Sequence, residues 1–195
     1  MSARIVLGFL IFFLSHWLLA QGYDNVILET SEAIDGQAFD GFSTKIWFKE
    51  KDVEKGWWQY SREFGRPLRM RGYYQVTVSN NQSGNAADLK LLSKTTDLDS
   101  LTEFFLCLDT TGIPANTLTD YDDQVRTILE DFKKYYYLNE LEEELEDAEK
   151  KAARIGKRIA KAPSRNREHQ IVLLQQLQET IASTKATLRR IYQSD

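Results

Sequence analysis

Few side chains in this sequence are of the kinds that carry out nucleophilic or metal-assisted catalysis. The 195 residues include two histidines, His16 and His169, and a single cysteine, Cys107. His169 has no second ligand one helical turn away, so a zinc site is not indicated there. The sequence contains no motif typical of phosphate-binding loops, dinucleotide sites, serine hydrolases or zinc proteases. We therefore expect a non-enzymatic protein without catalytic residues, a metal site or a cofactor.

Two short carboxylate clusters are the remaining candidates for a metal site. Asp97 and Asp99 are two positions apart, and Asp120 is followed by Asp122 and Asp123. Such spacing could supply the oxygen ligands of a calcium ion. Turns and helix N-termini also prefer aspartate, so we interpret both clusters as structural.

A mixed aromatic and basic group could instead recognise a small ligand. Trp58 lies off the apolar face of a predicted helix, and Tyr73 lies off the apolar face of a predicted strand. Arg69 and Arg71 share the strand face of Tyr73 in this pattern. These four side chains could form a patch that binds a sugar or a lipid. The alternative is that the aromatic residues of this segment pack in the core, which is their commoner role.

The highest density of charge lies in the last third of the chain. Residues 140–149 include seven acidic side chains, whereas residues 150–167 include eight basic ones and no acid. The basic side chains, here called the basic tip, are Lys150, Lys151, Arg154, Lys157, Arg158, Lys161, Arg165 and Arg167. We expect no acidic partners for them across the hairpin, and a solvated helix end whose cations favour the helix dipole is the commoner interpretation. The alternative is a docking surface for an anionic lipid, a polysaccharide or an acidic protein.

Apolar residues beneath these charges recur in steps of four and three, which predicts two helices that pack as a coiled coil. The first seam is Leu141, Leu145, Ala148, Ala152, Ile155, Ile159 and Ala162, and the second is Gln170, Leu174, Leu177, Ile181, Thr184, Leu188 and Ile191. Pro163 predicts a turn between them. An antiparallel hairpin that pivots near residue 164 would place Lys185 near residue 143 and Arg189 near residue 139.

Two further features of this hairpin bear on its contacts. Gly156 lies beside the first seam, where it could allow close helix approach or a bend. Residues 171–174 are four apolar residues in succession, which is more than a contact between two helices can cover. We therefore expect the hairpin to bind a protein partner or a second copy of the chain.

The preceding residues indicate a small sheet packed by helices. Val53, Trp57, Tyr60 and Phe64 recur on one helical face, and residues 68–78 alternate as a single strand would. Two more strands follow, and an aromatic stripe predicts that residues 118–138 form a helix packed on the sheet. The predicted fold class is thus α+β, a small antiparallel sheet packed by helices with a C-terminal antiparallel coiled-coil helical hairpin. Its predicted domains are a signal peptide at 1–20, an α+β sheet domain at 21–117 with the packing helix 118–138, and a projecting hairpin at 139–195.

The first twenty residues have the pattern of a secretory signal. Arg4 precedes an apolar run over residues 5–20, which ends at the small residue Ala20. We expect cleavage there, export to a bacterial periplasm or the exterior, and no membrane span in the mature chain; the alternative is an uncleaved anchor. The net charge of −4 argues against a general nucleic-acid binder.

A short internal segment carries a family resemblance. Residues 52–71, which include Gly56-Trp57-Trp58 and Arg69-Met70-Arg71, resemble uncharacterised exported proteins of Bacteroidota-type bacteria. The resemblance covers about twenty residues. It implies a bacterial envelope setting and no particular activity.

These observations favour a periplasmic or secreted protein that acts by protein–protein docking or self-assembly through its helical hairpin. The alternative function is a ligand-binding module with an aromatic-lined pocket for a lipid or sugar between sheet and helix.

Overall fold

The computed structural model describes residues 23–79, 88–111, 118–161 (118–120 by their backbone alone) and 167–193. The predicted signal peptide and Arg165 of the basic tip lie outside these residues. The chain forms two compact units. The sheet unit is Asp24–Tyr136, and the helical unit comprises the hairpin residues from Tyr137 onward.

The sheet unit is built on six strands in the described part of the chain. They are β1 (Leu28–Ile34), β2 (Gln37–Ile46), β3 (Arg66–Arg69), β4 (Tyr74–Val78), β5 (Leu89–Asp97) and β6 (Thr102–Leu108). Their order across the sheet is β1-β2-β6-β5-β4-β3, and every neighbouring pair is antiparallel. This confirms the predicted α+β class with an antiparallel sheet.

The turn between β1 and β2 shows why this sequence folds into a hairpin here. Ile34 pairs with Gln37, so Asp35 and Gly36 form a two-residue loop with φ values of 54° and 82°. Two positive φ angles suit the right-handed twist of the flanking strands, and an Asp-Gly pair adopts them readily.

The single strand expected over residues 68–78 is wrong, because the chain reverses within it. Arg69 at the end of β3 pairs with Tyr74 at the start of β4, and the Met70 N–H donates to the Tyr73 carbonyl over 2.9 Å. Gly72 supplies the positive φ of 86° that the turn requires. Since directly paired residues lie on the same face of a sheet, Arg69 shares its face with Tyr74 and not with Tyr73.

The described part of the chain contains three helices. Helix α1 is Glu50–Ser61, helix α2 is Leu118–Lys161, and helix α3 is Arg167–Tyr192. Helix α1 and the part of α2 that ends at Tyr136 cover one face of the sheet. Within the sheet unit, Trp57 of α1 meets Phe132 of α2 and Phe104 of β6, with ring centroids 5.1 and 5.2 Å apart. Trp57 and Phe132 are fully buried, so the predicted helical faces of α1 and of the packing helix are confirmed.

A second, smaller cluster occupies the opposite face of the sheet. Its buried members are Ile34, Leu92, Phe105 and Cys107, with Phe39 and Tyr73 packed against them. Lys94 of β5 lies 2.8 Å from the Glu32 carboxylate of β1, although β2 and β6 intervene. Flat strands ~4.8 Å apart would hold these residues too far from each other, so the sheet must curl towards this face.

Two glycines in helices predict stability changes of opposite sign. A methyl group at Gly56 would overlap the Tyr136 ring, whereas no heavy atom of the described chain lies within 4 Å of a methyl group at Gly156. The prediction that Gly156 allows a close approach of the helices is therefore wrong. We expect Gly56→Ala to lower the free energy of unfolding by about 1–3 kcal/mol through overpacking. We expect Gly156→Ala to raise it by up to about 1 kcal/mol through helix propensity. Urea denaturation followed by circular dichroism measures both, and equal signs would contradict the packing at Gly56.

Candidate functional site

Contacts between α2 and α3 confirm the helical hairpin and show its antiparallel sense. Lys185 Nζ lies 2.7 Å from Glu149 Oε1, and the Tyr192 hydroxyl donates to Glu142 Oε1 over 2.6 Å. The higher-numbered residue of α3 thus contacts the lower-numbered residue of α2, as an antiparallel pair requires. The acidic block of α2 thus meets a basic and a phenolic side chain of α3.

The carboxylate that meets Lys185 differs from the predicted one. We expected Lys185 near residue 143, but it contacts Glu149, six residues further along α2. The reason is the direction of helical side chains, which lean towards the N-terminus of their own helix. In an antiparallel pair, facing side chains therefore reach past each other. Two long side chains can bridge the six-residue offset, which is about 9 Å along a helix axis.

Burial of the seam is uneven along the hairpin. Leu141, Ala148, Leu188 and Ile191 are all buried, whereas the seam residues nearer the turn, such as Ile155, Ile159, Leu174 and Leu177, are only half-buried. Ile171, Val172 and Leu173 at the start of α3 are exposed by 42%, 39% and 38%. The part of the hairpin near the turn therefore leaves apolar surface uncovered.

A groove runs along this part of the hairpin, between α2 and α3. Its volume is about 470 Å³. The α2 wall is formed by Glu144, Asp147, Ala148, Lys151, Arg154, Ile155 and Arg158, and the α3 wall by Leu173, Gln176, Leu177 and Thr180. We call it the hairpin groove. It combines apolar side chains with charges of both signs.

The basic tip is not the single unmatched surface that the sequence predicted. Lys150 forms an ion pair with Glu146, one turn earlier on α2, with Nζ 2.6 Å from Oε1. The hydrogen bond to Glu146 raises the pKa of Lys150. Lys151, Arg154 and Arg158 line the hairpin groove, whereas the exposed residues Lys157, Lys161 and Arg167 do not line it.

The predicted ligand patch is only partly assembled. Trp58 lies beside Tyr74, with ring centroids 6.1 Å apart, and the Arg69 guanidinium carbon lies 5.8 Å from the centre of the Tyr74 ring. Arg69 Nη2 is also 3.5 Å from Glu54 Oε2. Burial, and then the charge of Glu54, raise the pKa of Tyr74.

The other two members of the predicted patch lie elsewhere. Tyr73 packs against the cluster on the opposite face, and Arg71 is exposed in the turn between β3 and β4. Grouping Tyr73 with Trp58 is therefore wrong, and the reversal of the chain at Gly72 is the cause. Tyr74 takes the place that the sequence assigned to Tyr73.

A buried lysine is a feature that the sequence did not predict. Lys133 of α2 is 2% exposed, and its Nζ lies 2.7 Å from Asp24 Oδ1 and 2.8 Å from Thr44 Oγ1. Thr44 Oγ1 in turn donates to the Val26 carbonyl over 2.8 Å. Burial lowers the pKa of Lys133, and the hydrogen bond to Asp24 opposes that shift. The sequence signal for this burial is the position of Lys133, which lies one helical turn from the apolar Leu129 and directly follows Phe132.

The first of the two carboxylate clusters has a structural role. Asp97 Oδ1 accepts a hydrogen bond from the Asp99 N–H over 3.1 Å, and Asp99 has a φ of 67°, as a turn would require. Within the described ranges, no three His, Cys, Asp or Glu side chains are placed to share a metal ion. None of the helices in those ranges has the length and apolar character that crossing a membrane requires.

Comparison with known proteins adds no family. No protein-family model, no curated protein and no solved structure matches this chain. Its own contacts, burial and charges therefore have to support any functional conclusion.

Proposed function

We propose that this protein acts by docking another polypeptide into the hairpin groove of its helical unit. The observation that supports this most is the incomplete burial of a regular coiled-coil seam. Leu141 and Leu188 are buried within the single chain, while Ile155 and Leu177 are only half-buried and Leu173 is exposed. Helical seams of this kind become fully buried when further helices pack on them.

The lining of the groove fits a protein partner better than a general anionic surface. Lys150 already has an acidic partner, and Glu144 and Asp147 lie in the same groove as Lys151 and Arg154. An anionic membrane or polysaccharide would be attracted by the basic side chains of the groove but repelled by those two carboxylates. A polypeptide can match both signs of charge as well as the apolar residues between them.

The proposal includes a setting and the absence of catalysis. The apolar run over residues 5–20 supports export to a bacterial periplasm or the exterior. Burial raises the pKa of the Cys107 thiol, which disfavours the thiolate that a nucleophilic role requires. These features support the proposal of a binding protein without enzymatic activity.

Ligand binding between the sheet and the helices has less support. Trp57, Phe104 and Phe132 fill that layer with their own rings. What remains of the alternative is the open surface around Trp58, Arg69 and Tyr74, where Arg69 is already paired with Glu54. Binding of a small ligand there stays a prediction.

Neighbouring positions on α3 allow a matched test of docking. Leu173 lines the groove, while Val172 is equally exposed but does not line it. We expect a photo-crosslinking residue at position 173 of the full chain, in its native host, to form a discrete protein adduct. The adduct should weaken at least about tenfold when Leu177→Ser is added, since that removes apolar contact area from the groove.

A crosslinking residue at position 172 is the control. We expect no discrete adduct from it, or one that Leu177→Ser leaves unchanged. Equal adducts from positions 172 and 173, both insensitive to Leu177→Ser, would contradict docking in the groove.

A further inference from the structure

We infer that the occupant of the hairpin groove is a second copy of this chain, packed antiparallel about a two-fold axis near Lys151. The inference rests on the proposed docking function and names its partner. It is carried by the order of charges along the groove.

The charges on the α2 wall are segregated by sign. Glu144 and Asp147 lie at one end of the groove, and Arg154 and Arg158 lie at the other, with Lys151 between them. The α3 wall carries no charge, since it consists of Leu173, Gln176, Leu177 and Thr180. A partner must therefore present basic groups at one end and acidic groups at the other.

A second copy meets that requirement when it runs in the opposite direction. The midpoint between Glu144 and Arg158 is position 151, and the midpoint between Asp147 and Arg154 lies between positions 150 and 151. A two-fold axis at this level therefore places Glu144 against Arg158 of the other copy, and Asp147 against its Arg154. Each pair occurs twice, because a two-fold interface is self-complementary.

The same arrangement covers the apolar surface of the groove. Ala148 and Ile155 lie on either side of the axis on α2, and Leu173 and Leu177 line the groove from α3. Two such grooves placed together form the core of an antiparallel four-helix bundle. The half-buried part of the seam would then have the cover that it lacks in one chain.

The axis has one unfavourable consequence. Lys151 sits at the midpoint, so the two copies bring their Lys151 side chains towards each other. We expect Lys151→Leu to strengthen association by about tenfold, since it removes like-charge repulsion and adds apolar area at the centre. A partner with an acidic group opposite position 151 would instead bind Lys151→Leu more weakly.

Charge exchange between two variants of the full chain tests the pairing. The first variant, Glu144→Arg with Asp147→Arg, makes the groove basic, and the second, Arg154→Glu with Arg158→Glu, makes it acidic. In sedimentation velocity, we expect wild type to reach twice the monomer mass of 22.6 kDa, less the signal peptide if that is removed. Each variant alone should dissociate at more than about tenfold higher concentration, and an equimolar mixture should recover the wild-type dimer. Circular dichroism checks that both variants keep their helical content.

The outcomes separate this inference from docking in general. A wild-type chain that stays monomeric, or variants whose mixture does not associate, would overturn the two-fold pairing. In either case, crosslinking at position 173 would still test whether the groove docks another polypeptide. A wild-type dimer that Leu173→Ser leaves intact would place self-association outside the groove and overturn the inference. Recovery in the mixture together with tighter association of Lys151→Leu would support it.

Discussion

Replacing Trp57 with alanine is expected to lower the free energy of unfolding by about 3–5 kcal/mol. Trp57 is fully buried and contacts Phe104, Phe132, Tyr60 and Phe64 with ring centroids 5.1 to 6.2 Å apart. Removing the indole would leave a cavity where helix and sheet meet, and rings held by their own neighbours cannot collapse into it. Urea denaturation followed by circular dichroism measures the change.

The adjacent residue provides the control for this substitution. Trp58 is 36% exposed and packs on Tyr74, so Trp58→Ala should lower the free energy of unfolding by no more than about 1 kcal/mol. Trp57→Phe should also cost much less than Trp57→Ala. Within the described residues, Trp57 Nε1 donates to no acceptor, so phenylalanine gives up no hydrogen bond there. Similar losses for Trp57→Ala and Trp58→Ala would contradict the assigned core.

The second large effect is expected at the N-terminal end of the sheet unit. Asp24→Ala should lower the free energy of unfolding by about 2–3 kcal/mol, because it removes the carboxylate beside the buried Lys133 ammonium. This loss is smaller than the full cost of leaving a buried charge without a partner, because Asp24 itself is 48% exposed and its ion pair is partly screened by solvent. Lys133→Met should lower the free energy of unfolding by only about 1 kcal/mol, because it removes the buried charge that Asp24 otherwise compensates.

The pH dependence of the Asp24→Ala variant gives an independent check. The folded-state pKa of Lys133 is lowered from 10.5 by burial, and the hydrogen bond to Asp24 limits that shift. Without Asp24 the folded pKa falls further, so the unfolded chain binds more protons than the folded chain at pH values just below 10.5. Stability of the variant should therefore rise relative to wild type as the pH increases from 7 towards 10. If the difference in free energy of unfolding between variant and wild type stays constant over this range, the variant does not contain a buried charge without a partner.

The helical periodicities of this chain were readable from the sequence because each is a local property. Leu141, Ala148 and Leu188 are buried as the spacing of the two seams predicted, and Val53 and Trp57 share the buried face of α1. Periodicity depends on a backbone geometry that repeats within a single element. It needs no knowledge of what lies opposite.

The errors arose where chain reversal or distance along the chain decides the contact. Across a tight reversal the alternation of faces changes parity, so Arg69 and Tyr74 share a face although their numbers differ by five. The ion pair of Lys150 with Glu146 runs along one helix, whereas the charge pattern predicted partners only across the hairpin. The link from Lys133 to Asp24 spans 109 positions, and no local pattern indicates it.

The surroundings of Cys107 make the chain convenient for thiol chemistry. Cys107 is fully buried, and burial, followed by the charge of Asp109, raises its pKa to about 12. At pH 8 only on the order of one in ten thousand of such thiols is ionised, so a maleimide would modify it only after the sheet opens. A cysteine added to the surface of the hairpin could therefore carry a fluorophore without removal of the native one. The rate at which Cys107 itself becomes modified would time the opening of the sheet.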